Sequence, residues 1–234
     1  MKRGIYTVRS AKGSADTAAT MTLRQTCFRA GSTTPDDDRF DTACQHMLVM
    51  TGDTLVASCR TQTFADPGSL PTGYTAQFYD LTPLQTMPGP MIELGRFCLH
   101  PDHADPDIVR LAWGALTQMV DQTQAQLLFG CSSFPGADAH VHSAPLGYLA
   151  QRHLGPDALR PGKRAAETID LRSLPPPAQP PTLPPLLKTY LAMGGWVSDH
   201  AVPDRDLNTT HVFAALEIAR IPAARARALR ALSG

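Results

Sequence analysis

Six charged side chains stand beside apolar residues at spacings that could bring them into one cleft. Arg24 precedes Phe28 in RQTCF, Asp38 and Asp41 frame DRFD, Arg60 closes LVASCR, and Glu93 and Arg96 bracket ELGR. Arg24 and Phe28 are four residues apart, so a helix puts them on one face. Glu93 and Arg96 sit in the apolar run IELGRFCLH, Ile92 to His100, which reads as a strand. Residues three apart on a regular strand face opposite sides; these two share a face only if the strand bulges, and Gly95 permits a bulge. Two readings follow. The charges are separate surface groups or structural ion pairs, or they are buried and must find one another, because an unpaired buried charge is strongly destabilising. Three arginines, two aspartates and one glutamate would then form a nearly neutral network around an active-site cleft. Its carboxylates could take up protons and its guanidiniums could bind anions.

Other chemistry-bearing residues are less telling. Cys131, in FGCSSF at a strand end, has no base beside it in sequence and reads as a structural thiol. Ser132 and Ser133 lack the G-x-S-x-G elbow of hydrolases. His100 with His103, and His140 with His142, lack the carboxylate pattern of a metal centre, so no metal is expected.

Elements that would position the charged set can be read from periodicity. Strands are expected at Gly4–Ser10, Cys44–Met50, Leu55–Thr61, Met91–His100, Leu127–Phe134 and His211–Ile218, with TGDT turning a hairpin between the second and third. Helices are expected at Ala15–Ala30, stopped by Gly31; at Ile108–Asp121, capped by Asp105 or Asp107; and at His140–His153, Leu186–Gly194 and Ile221–Leu232. Thr33–Asp41 is an acidic loop, and the prolines of 175–185 make a stiff extended segment. Alternating strands and helices argue for α/β (α+β) layers around one mixed sheet, and residues 1–234 for a single domain.

Composition excludes several classes. The chain has 234 residues, 43% hydrophobic and 18% charged, with 21 Lys+Arg against 21 Asp+Glu, so no overall charge draws it to nucleic acid. The five cysteines form no C-x-x-C pair. No apolar run approaches a membrane span, and MKRGIYTVRS has no apolar stretch after its basic residues, so a cytoplasmic protein with reduced thiols is expected. Arg225, Arg227 and Arg230 in the last helix, and the group Arg152, Arg160, Lys163 and Arg164, are either solvated faces or cationic patches.

The order R-x-x-x-F, D-x-F-D, strand-end Arg, E-L-G-R resembles the acyl-homoserine lactone synthases, enzymes of the GNAT-type acyltransferase fold. FDTACQHMLV, IELGRFCLHPDH, IVRLAWGAL, LLFGCSSFPGAD, LPPLLKTYLAMGGWV and DLNTTHVFAAL resemble more closely a sister family, the L-ornithine N(alpha)-acyltransferases that make lyso-ornithine lipid. The resemblance covers roughly Arg24 to Leu216, and LFGCSSFPG and the NTT stretch are its more specific parts. It implies a mostly antiparallel mixed sheet with a bulged, splayed strand and helices on both faces. It also implies transfer of a 3-hydroxyacyl group from acyl carrier protein to the α-amine of ornithine, with peripheral contact at the inner face of the membrane. No Trp precedes Trp113, unlike the lactone synthases, and no glycine-rich pyrophosphate loop follows Arg96. A donor thioester on carrier-borne phosphopantetheine, with no separate cofactor, fits that absence. By the same resemblance, Glu93, Arg96 and Asp41 are the catalytic candidates, Glu93 as base. Arg24, Phe28, Asp38, Arg60, Gly95, Phe97 and Cys98 are the substrate-binding ones, with backbone N–H groups near Gly95–Phe97 serving the oxyanion. The alternatives are acylation of another amino acid such as glutamine or glycine, a lactone synthase, and a silent module that binds carrier protein or lipid.

Overall fold

A computed structural model describes residues 1–232. Its strands are β1 (Lys2–Arg3), β2 (Tyr6–Ser10), β3 (Gln45–Thr51), β4 (Thr54–Phe64), β5 (Tyr79–Asp80), β6 (Met91–Leu99), β7 (Leu127–Pro135), β8 (Gly162–Lys163), β9 (Ile169–Asp170), β10 (Trp196–Asp204) and β11 (Thr209–Glu217). Its α-helices are α1 (Ser14–Phe28), α2 (Pro106–Thr123), α3 (Ser143–Arg152), α4 (Pro185–Ala192) and α5 (Ala223–Leu232). Among the described residues no helix is long and apolar enough to cross a membrane.

The chain sorts into two compact units. One holds Met1–Thr63, Leu94–Ala125 and the stretch beginning at Ala223; the other holds Phe64–Glu93 and Gln126–Pro222. Each unit is therefore discontinuous in sequence, and β6 changes unit between Glu93 and Leu94.

In the first unit β1 to β4 form antiparallel neighbours, with the second part of β6 beside β4. The hairpin joining β3 to β4 turns through Gly52 and Asp53, with Gly52 at φ +55°, the sign a primed two-residue turn requires. Arg9 of β2 pairs with Asp16 of α1. Helix α2 packs on β2, and Val8, Arg9 and Ser10 line a cavity of about 240 Å³ with its Ala115 and Met119. The start of α2 is set by Pro106 in its first turn and by Asp105, whose carboxylate accepts the Asp107 N–H at 2.9 Å. Its apolar side buries Ile108, Leu111 and Leu116. Glycine at 13 and 31, both with positive φ, brackets α1.

In the second unit the first part of β6 runs parallel to β7 from Met91↔Leu127 to Glu93↔Phe129. Strand β7 pairs antiparallel with β11 along its whole length, and β10 and β9 follow. Strands β5 and β8 form a separate pair. Phe64, Tyr79, Met91, Phe129, Trp196 and Phe213 make the core of this unit.

Two expectations change. Strand β10 carries no clean alternation and is not expected from sequence. Its register shifts between Val197 and Ala201, and buried Ser198 and His200 interrupt its apolar residues; the Ser198 hydroxyl is satisfied by donating to His200 O and accepting from Phe213 N–H. The expected helix at His140–His153 starts at Ser143, because 139–142 form a tighter 3-10 turn capped by Asp138. Pro145 then falls in the first helical turn, where its missing N–H costs nothing.

Candidate active site

Within the first unit, α1, the acidic loop, β4 and β6 deliver their charged residues to one buried network. The Arg24 Nε donates to Asp36 at 2.7 Å and its Nη1 to Asp41 at 2.6 Å. Arg60 donates to both oxygens of Asp38, at 2.6 and 2.8 Å, and to Asp41 at 2.6 Å. Arg96 donates from Nε to Asp36 at 3.1 Å and approaches Asp38 at 3.5 Å. Arg24 is 1% exposed and Arg60 2%. Charges this deep are tolerated because each guanidinium meets more than one carboxylate oxygen.

Two members were not singled out from the sequence. Asp36 is as buried as the arginines and collects Arg24, Arg96 and, at 3.3 Å, Arg29. It is one of three consecutive aspartates, and nothing in PDDD shows which of them turns inward; the signal available was only that Pro35 rigidifies the approach. Arg29 directly follows the helix Phe. With both included, Arg24, Arg29, Arg60 and Arg96 face Asp36, Asp38 and Asp41. The Arg24 Nη2 is buried with no hydrogen-bond partner among the described residues.

The electrostatics follow from that balance. Burial alone would raise Asp41, but Arg24, the Asp38 N–H and Arg60 outweigh it and hold the carboxyl down at about 2. Asp36 is lowered in the same way, burial being overcome by Arg96 and Arg24. Burial pushes His46, whose Nε2 lies 3.3 Å from Asp41 O, below its ordinary value.

The remaining candidates fall into place around these. The Phe28 ring lies 6.0 Å from the Arg96 guanidinium carbon. A Cβ at Gly95 would stand 3.6 Å from Arg60 Nε, so β6 passes the network closely there. Arg96 has φ +49°, a left-handed conformation that a β-strand does not use and that is costly for any residue but glycine. The strand is therefore kinked next to Gly95. Phe97 is half-buried, and Cys98 is buried.

Glu93 sorts with the second unit. Its carboxylate accepts the Tyr74 N–H at 3.0 Å and the Thr75 N–H at 2.6 Å, and the residue is 5% exposed. Gly73 leaves room for this clamp, since a Cβ there would lie 2.8 Å from Glu93 Oε2. Beside it the Cys131 thiol contacts Thr75 Oγ1 at 3.7 Å.

The sheet, its kinked strand and its flanking helices form a fold of the GNAT type. Residues 23–114 match the family model described as the acetyltransferase (GNAT) domain. Among solved structures, the fold resembles an N-acyl amino acid synthase, FeeM, from uncultured soil microbes (TM-score 0.57, 10% identity, 94% of this chain and 97% of that one). It also resembles the loading GNATL domain of CurA from Lyngbya majuscula (TM-score 0.53, 13% identity, 92% and 99%). In sequence it is 32% identical to the L-ornithine N(alpha)-acyltransferase of Rhodobacter capsulatus over 227 residues, 88% of each chain, and 32% identical to that of Brucella abortus, over 80% of this chain and 71% of the relative. The chain belongs to the L-ornithine N(alpha)-acyltransferase family.

Proposed function

We propose that this chain transfers a 3-hydroxyacyl group from the phosphopantetheine thioester of acyl carrier protein to the α-amine of L-ornithine, yielding lyso-ornithine lipid. Family membership across 88% of the chain carries the reading. The cluster of buried guanidiniums supports it, since the acceptor brings a carboxylate, which suits an arginine. The N-terminus of α2 supports a carrier-borne donor. There Asp105 caps the helix and Asp107 binds Arg3 and Arg110, so carboxylates occupy the end where a coenzyme pyrophosphate would need free N–H groups.

The reaction is aminolysis of a thioester. The α-ammonium loses a proton, the amine attacks the carbonyl, an oxyanion forms, and the carrier thiol leaves. Glu93 takes the proton, directly or through one water. Backbone N–H groups near Gly95–Phe97, where the kink at Arg96 interrupts strand geometry, serve the oxyanion. Arg60, Arg96, Asp38 and Asp41 order the acceptor, and Arg24 and Phe28 the donor. The pantetheine arm arrives with the donor, so no separate cofactor is required. The product is a lipid, and the exposed arginines of α5 favour work at an anionic inner membrane face.

The test mixes purified protein, 3-hydroxyacyl carrier protein and single amino acids, and follows free carrier thiol and N-acylated product by mass spectrometry. Thiol release and product with ornithine support the proposal. Release with S-adenosylmethionine but not ornithine makes it a lactone synthase; release with neither, nor with any other amino acid, makes it a binding module.

A further inference from the structure

Five cysteines are scattered along the sequence, and the fold brings two of them together. Cys27 is half-buried in the last turn of α1, and Cys98 is buried near the end of β6. The Cys27 thiol donates to Leu99 O at 3.1 Å, which sets its sulfur against the backbone that carries Cys98. The neighbouring Cys98 thiol holds Cys27 below the ordinary thiol value although burial opposes it, and Cys27, with burial, pushes Cys98 up. One thiol is thus accessible and disposed to ionise, while its neighbour is protonated and enclosed, the arrangement of an attacking and a resolving cysteine. Cys59 is fully buried, and burial pushes its thiol up.

The place matters as much as the pairing. Arg24 lies one turn before Cys27 on α1, and Arg96 lies two residues before Cys98 on β6, and the two arginines share Asp36. A bond between these cysteines joins the elements that feed both arginines into the network.

We propose that Cys27 and Cys98 are a redox pair: a peroxide joins them in a reversible disulfide that ties α1 to β6 and lowers acyl transfer. The effect on transfer rests on the function proposed above; the bond itself does not. The Cys27 thiolate attacks the peroxide, an S–O bond forms as the O–O bond breaks, and hydroxide leaves as water. The Cys98 thiol then attacks that sulfur, an S–S bond forms, the S–O bond breaks, and a second water leaves. Two thiols lose two electrons and the peroxide gains them. A disulfide fixes its Cα atoms about 4.4–6.8 Å apart, so closure holds the last turn of α1, which also carries Phe28 beside Arg96, to β6.

The full chain is treated with hydrogen peroxide, remaining thiols are blocked, and unreduced digests are mapped by mass spectrometry. The expected result is a peptide linking Cys27 to Cys98, lighter by two hydrogens and split by dithiothreitol, with at least a tenfold fall in transfer that dithiothreitol restores. Cys27→Ser keeps its activity in reducing buffer and resists peroxide, whereas Cys44→Ser stays sensitive. No linked peptide in the unaltered protein overturns the inference. So does a linked peptide without loss of transfer, or equal inactivation of Cys27→Ser or, should that variant misfold, of Cys27→Ala. If the reduced protein acylates no amino acid, the functional reading fails, and the peptide map still judges the pair.

Discussion

Asp36 receives three of the four network arginines, and its loss would leave buried guanidiniums facing one another. Removing one partner of a buried ion pair costs about 3–5 kcal/mol, so Asp36→Ala is expected to lower the denaturant midpoint sharply and to abolish transfer. Glu93→Gln tests a different role. An amide cannot accept both the Tyr74 and Thr75 N–H groups, because its NH₂ end meets a donor. Turnover should fall at least tenfold, together with a stability loss of about 1–3 kcal/mol; unchanged turnover would remove Glu93 as the base. Asp41 makes the network sensitive to acid. Its folded value, about 2, lies below the ordinary 3.8, so its stabilising contribution is complete above the unfolded value and is lost as pH falls toward 2. Unfolding free energies from urea titrations between pH 6 and pH 2.5 should therefore drop more steeply for the unaltered protein than for Asp41→Asn, by roughly 2 kcal/mol across the range.

At the scale of elements, β6 and the proline-rich segment show how local rules are overridden. An arginine at φ +49° is disfavoured by its own backbone, and its ion pairs with Asp36 and Asp38 offset that cost. The segment 175–185 begins against α3, where a Cβ at Gly147 would stand 2.3 Å from Pro175 O. Backbone cannot yield as a flexible side chain does. Gly147→Ala is therefore expected to destabilise the protein by about 1–3 kcal/mol, read as a lower melting temperature, despite alanine's better helix propensity. The α2 cap, expected at Asp105 or Asp107, is Asp105, and the β3–β4 turn is present, because capping and turn chemistry are written within a few residues; α1 ends at Phe28, two residues short of the expected Ala30. Strand β10 is the counterexample: its buried Ser198 hydroxyl accepts the Phe213 N–H of β11, a partner fifteen residues away that no short window contains.

At the scale of the whole molecule, balanced charge means that any attraction to an acidic carrier protein must come from a patch. Arg160 and Arg164 are engaged with Gly155 O and Ala76 O, and Arg230 with Asp121, whereas Arg225 and Arg227 lie exposed on α5. Arg225→Glu with Arg227→Glu is expected to raise KM for the carrier-borne thioester several-fold with kcat unchanged, and to weaken its salt dependence; an unaltered KM would move the docking surface elsewhere.

What the sequence determined by itself was the inventory: which charged residues accompany apolar ones, where most strands and helices lie, and the family they resemble. Periodicity, caps and motif order act over short stretches of chain, so they are readable there. Tertiary structure decided which aspartate of PDDD is buried, that Arg29 joins the network, that Glu93 is gripped by the 73–75 turn, and that Cys27 lies against the backbone beside Cys98. Those outcomes depend on desolvation and on partners many residues away, and a carboxylate or a thiol acquires its chemistry only from what folding sets against it.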